Sequence, residues 1–95
     1  MTYTHDTHTI TLWHGFQALE RMRTMTQADA IDVAKGALIH HYATMHDAWG
    51  AMFDHAITHP TDDNDDLVVT LIVDGERTEF FAVVLLIYGT SGADD

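Results

Sequence analysis

Histidine and aspartate are the residues of this chain best suited to bind a metal or move a proton. There are eight His in 95 residues. His5 and His8 lie near the start, His40, His41 and His46 in the middle, and His55 and His59 further on. If a helix runs through position 59, His55 and His59 share one face at helical spacing, as a metal pair requires. Asp54 or a carboxylate of the run at 62–66 would then add a hard ligand. Pro60 opposes helix at His59, and no Glu lies between the two His, so the HExxH signature is absent. His41 and His46 are spaced badly for a shared face. Solvated or capping His is the plainer expectation.

The run Asp62-Asp63-Asn64-Asp65-Asp66 invites comparison with a calcium loop. Counted from Asp62, oxygen ligands would be Asp62, Asn64 and Asp66. Leu67 then stands where the loop needs Gly, and Val73 where it needs Glu. A solvated acidic loop is the better reading. Nucleophilic chemistry has little to work with. There is no Cys, and the only Ser is Ser91. Thiolate catalysis, thiolate zinc sites and iron–sulfur clusters are therefore excluded. No G-x-S-x-G, phosphate-binding or dinucleotide-binding glycine motif occurs. Glu20, Glu76 and Glu79 are the only Glu, and nothing in the sequence sets two carboxylates in one cleft. The expectation is no catalytic residue, no cofactor and no metal.

Charge says more. The formal net charge is −11, from 15 acidic residues against Arg21, Arg23, Lys35 and Arg77. Binding a phosphate backbone needs several clustered cations, so direct nucleic-acid binding is disfavoured. An anionic membrane surface would repel the chain. A basic protein surface would attract it, with association fastest at low salt. The plain alternative is that the acidity serves solubility. The start lacks the basic and apolar regions of a signal peptide. The longest apolar run, 80–88, is nine residues, well short of a membrane-spanning helix. A soluble cytoplasmic protein is expected.

The elements that must carry these side chains read as one α+β domain over 1–95, with 89–95 a frayed tail. Residues 7–13 (THTITLW) alternate as a strand with Ile10 and Leu12 inward. Residues 16–23 place Phe16, Leu19 and Met22 at helical spacing, suggesting a short helix. Thr26-Gln27-Ala28-Asp29 has the form of a helix cap, the Thr26 hydroxyl accepting from the Asp29 N–H. Behind it Ile31, Ala34, Leu38, Tyr42, Met45, Trp49, Met52 and Ala56 recur at steps of three or four. The pattern predicts helix over 27–58, broken or kinked near Thr44, with 59–66 a loop. Residues 67–74 and 78–88 read as strands joined by a tight turn over Asp74-Gly75-Glu76-Arg77. The expected order is β-α-α-β-β, a three-stranded antiparallel sheet whose C-terminal hairpin packs on helices.

The last strand is apolar on both faces. Phe81, Val83, Leu85 and Ile87 form one of them. Either helices cover both sides, or that face is the interface of a homodimer.

In size, acidity and lack of catalytic motifs, the chain resembles the small phage-encoded inhibitors of host defence, including anti-CRISPR proteins and DNA mimics. The resemblance spans the whole chain in character, and no motif carries it, so no residue role transfers. It implies an acidic interaction module that blocks a basic nucleic-acid-binding surface. The residues for that contact are Asp29, Asp32, Asp47, Asp54, Asp62, Asp63, Asp65, Asp66, Asp74, Glu76 and Glu79. Two other readings stand beside it. One is a metal-binding or acid–base enzyme using His55, His59 and the Asp-rich loop. The other is a structural homodimer adapted to high salt.

Overall fold

The computed structural model describes residues 7–24, 26–60 and 66–87. The tail at 89–95 and the loop residues Asp62, Asp63 and Asp65 lie outside them. The fold is α+β, with a helix on an antiparallel sheet. In chain order the elements are β1 (Thr7–His14), β2 (Gln17–Thr24), α1 (Gln27–His46), β3 (Phe53–Thr58), β4 (Leu67–Val73) and β5 (Glu76–Ile87). The sheet has five strands in the order β2-β1-β5-β4-β3, not three.

Residues 16–23 do not form a helix. Gly15, at φ +60°, takes the first central position of a two-residue turn, and β2 folds straight back on β1. The register shifts between Leu12 and Trp13, so Leu19 is an extra residue in β2. Glycine suits position 15 because it takes this positive φ without strain, and its N–H donates to the Glu79 carbonyl at 3.0 Å.

The predicted cap holds: the Asp29 N–H donates to the Thr26 hydroxyl at 3.1 Å. The helix is shorter than expected. Asp47 adopts the left-handed conformation at φ 51°, and its N–H returns to the Ala43 carbonyl. Thr44 to Asp47 therefore ends a helix rather than starting a second one. Met45 in the last turn, and Trp49 and Met52 beyond the helix, are exposed, so the second half of the predicted stripe is not core. Residues 53–58 form an edge strand instead, with Phe53, His55 and Ile57 on one side and Asp54, Ala56 and Thr58 on the other.

The helix packs on one sheet face. Ala30, Ala34 and Leu38 bury against Ile10, Leu12, Val69, Leu71, Phe80, Ala82 and Val84. Two alanines in that row let the helix approach the sheet closely. The β4–β5 hairpin turns at Asp74 (φ 51°) and Gly75 (φ 84°), as a two-residue turn with both centres left-handed requires. Above it the β4–β5 register is interrupted between Thr70 and Ile72. The Thr78 hydroxyl fills the gap, donating to the Leu71 carbonyl at 2.9 Å and accepting from the Phe80 N–H at 3.1 Å. No helix among the described residues is long and apolar enough to cross a membrane.

Candidate functional site

Because side chains alternate along a strand, the residues between the core positions point away from α1. With residues 16–23 in the sheet, no described helix lies on that second face. Across it, register rows can be read directly. One row is Arg21, Thr11, Val83, Val68 and Thr58; the next is Ala18, Trp13, Phe81, Thr70 and Ala56. Below them Ile72 pairs with Asp54 on one side and Arg77 on the other. The centre of this face is apolar, the β2 edge carries Arg21 and Arg23, and the β3 edge carries Asp54. Three of the four expected interface residues, Phe81, Val83 and Leu85, are placed on it, and Leu85 is 43% exposed. Ile87 closes β5 opposite Thr7.

The Trp13 and Phe81 rings lie nearly parallel, 6.4 Å apart, on the floor of an open cleft. Its volume is about 540 Å³, and Gly15, Phe16, Glu79 and Val83 complete its lining. Phe16, at the β1–β2 turn, is fully exposed.

Among the described residues, the acidic side chains other than Glu20, which lies mid-strand in β2, divide between the two ends of the sheet. At one end stand the β4–β5 turn, the start of β3 and the last turn of α1. The Met52 N–H donates to the Asp74 carboxylate at 3.0 Å, and the Asp74 N–H returns to the Met52 carbonyl at 2.8 Å. His46 reaches Phe80 at 6.0 Å, which places Asp47 at this same end. Asp47, Asp54, Asp74, Glu76 and Glu79 are all exposed there. Arg77 is the one fixed cation among the described residues at that end. At the opposite end are Asp29 and Asp32, in the first turns of α1, and Asp66, whose carboxylate accepts from the Leu86 N–H at 3.3 Å.

The histidines are not gathered. His55 lies in β3 and His59 beyond its end, so the helical premise for a metal pair fails. Four residues of extended chain separate them by about 13 Å, too far for one ion. Among the described residues no three metal-ligating side chains cluster. His59 Nδ1 meets the Asp66 carbonyl at 3.1 Å, and His41 Nε2 meets Glu20 Oε1 at 3.0 Å. His14 stacks on Phe80 at 4.2 Å. The Nδ1 atoms of His8 and His55 are buried without a hydrogen-bond partner among the described residues.

Sequence reasoning missed the parts of the open face supplied by β1, β2 and β4. Trp13, Phe16, Arg21, Arg23, Val68 and Ile72 belong to it. The available signal was Gly15, a turn residue between two segments that can each be extended. No family model, curated protein or solved structure matches this chain.

Proposed function

We propose that this protein is an acidic protein-interaction module that binds a basic protein surface with the carboxylate-rich end of its sheet. The observation that supports the reading is the convergence of Asp47, Asp54, Asp74, Glu76 and Glu79 from three separate elements, with Arg77 as the one cation beside them. A Lys- and Arg-lined groove that holds a phosphate backbone has the matching charge. A module seated in it would exclude nucleic acid, as the inhibitors that the chain resembles in character do. Asp29, Asp32 and Asp66 at the far end extend the negative field that steers the encounter, and Asp62, Asp63 and Asp65 add to the net negative charge.

The test is retention of proteins from host lysate on the immobilised chain, eluted with a salt gradient and compared across two charge reversals. One carries Asp54→Lys, Glu76→Lys and Glu79→Lys. Asp47 and Asp74 are kept, because both hold left-handed turn positions. The other carries Asp29→Lys and Asp32→Lys. A basic nucleic-acid-binding protein retained by the wild type and the second variant, and lost by the first, is the expected result. Equal loss in both would reduce the effect to net charge, and equal retention would remove the acidic end from the interaction.

A further inference from the structure

We infer that the open sheet face is covered by a second copy of this chain, related by a two-fold axis running parallel to the strands over β5. Size, charge and one exposed side chain lead to this occupant.

The face is broad enough. Five strands and an eight-residue β1 make it about 24 Å wide and 26 Å long. Covering it on both copies removes about 1,200 Å² in total, the lower range of stable interfaces. Its middle is apolar, as the core of such an interface must be.

Charge selects the arrangement. Two sheets packed face to face can be related by an axis along the strands or across them. An axis across the strands sets the β2 edges against each other end for end, so Arg21, near mid-strand, comes opposite its own counterpart. An axis along the strands sets the β2 edge of one copy over the β3 edge of the other. Arg21 then lies over the level of Thr58 on the partner copy's β3 edge, and Asp54 lies lower on that same edge. Like charges set opposite one another across an interface are costly, and the axis along the strands keeps the β2 arginines of the two copies apart.

Phe16 gives a separate indication. It is fully exposed on a turn that borders the open face. With the axis along the strands, the lower end of the β1–β2 hairpin lies over the lower end of the β3–β4 pair. Phe16 then meets the part of the face where Ile72 lies in the second copy. With the axis across the strands it would lie against the Arg23 end instead. At the centre, Val83 and Phe81 approach their own counterparts.

This geometry has a consequence. An axis along the strands keeps both acidic ends on the same side of the dimer. Two sets of five carboxylates then stand side by side, a bivalent platform for a basic partner. That last step rests on the proposed function; the dimer itself does not.

The experiment therefore uses no partner. Sedimentation equilibrium of the whole chain should return twice the 10.6 kDa chain mass. Leu85→Arg should return the single-chain mass with an unchanged far-UV circular dichroism spectrum. The chain has no Cys, so Glu76→Cys accepts a single spin label. With the axis along the strands the two labels lie about 20 Å apart; with the axis across them, about 40 Å apart. A monomeric wild type overturns the inference, and so does a dimer that survives Leu85→Arg. A label distance near the longer value overturns the shared acidic end while leaving the proposed function to its own test.

Discussion

Phe80 and Phe81 are neighbours in the chain and point to opposite faces of the sheet, so truncating each should have a different kind of effect. Phe80 is 2% exposed. Its ring lies 4.2 Å from His14, 5.3 Å from Tyr42 and 6.0 Å from His46, locking the last turns of α1 onto β1 and β5. Phe80→Ala removes the ring and leaves a cavity bounded by a helix and a sheet that cannot easily collapse. The cost is about 3–5 kcal/mol. A domain of this length has roughly 5–14 kcal/mol in total. The urea midpoint should therefore fall steeply, by the same amount at every protein concentration. Phe81 stacks on Trp13 on the open face and is only partly buried within its own chain. Phe81→Ala should cost the isolated chain about 1 kcal/mol. At concentrations where the dimer forms, its loss should be larger, because dimer association adds to apparent stability by mass action. The assay is urea unfolding at two protein concentrations tenfold or more apart, followed by circular dichroism. If Phe81→Ala proves as costly as Phe80→Ala in dilute solution, the assignment of the two faces is wrong.

Thr78→Val should destabilise by about 1–3 kcal/mol, because it leaves the Leu71 carbonyl and the Phe80 N–H without their bridging hydroxyl; a thermal melt beside Thr58→Val, on the exposed edge strand, reads the difference. Thr26→Ala removes the side-chain acceptor for the Asp29 N–H, and should lower stability by about 1 kcal/mol in the same melts. Gly75→Val forces a β-branched side chain into φ 84° at the hairpin turn and should destabilise by more than 1 kcal/mol, with no clash to relieve because the surrounding space is empty. Added salt should strengthen self-association measured by sedimentation, since each copy carries a net charge of −11 and salt screens the mutual repulsion. The same salt should weaken binding to a basic partner, so the two equilibria move in opposite directions.

Some elements were legible because their signal is local. Residues 7–13 alternate, and Ile10 and Leu12 are buried as that alternation requires. The Thr26 cap and the hairpin turn depend on local side-chain or backbone preference; the cap stands where the sequence puts it, and the turn narrows to Asp74-Gly75 because Glu76 and Arg77 already pair in β5. Two strands misled the reading for identifiable reasons. In β2 the extra residue at Leu19 breaks the alternation, so the partly buried Leu19 and Met22 fall three apart, the spacing of a helix. In 53–58 the helical phase of Trp49, Met52 and Ala56 continues by coincidence past the real end of α1. The competing alternation of Phe53, His55 and Ile57 is as short as the strand itself. Local periodicity has no means to choose between them, because the choice is made by whether β4 presents a free edge.

The sequence by itself determined the acidity, the absence of thiol chemistry, the capped helix and a last strand apolar on both faces. Only the tertiary structure decided that the one helix among the described residues covers one side of the sheet and that no described helix covers the other. It also decided which carboxylates stand together. Asp47, Asp54, Asp74, Glu76 and Glu79 come from the ends of α1, β3 and the β4–β5 hairpin, and only strand pairing across the whole chain brings those ends into register. Charge and side-chain type are fixed residue by residue. Neighbourhood is fixed by long-range burial, which rewards a pairing only after the chain between the strands has been closed into a loop.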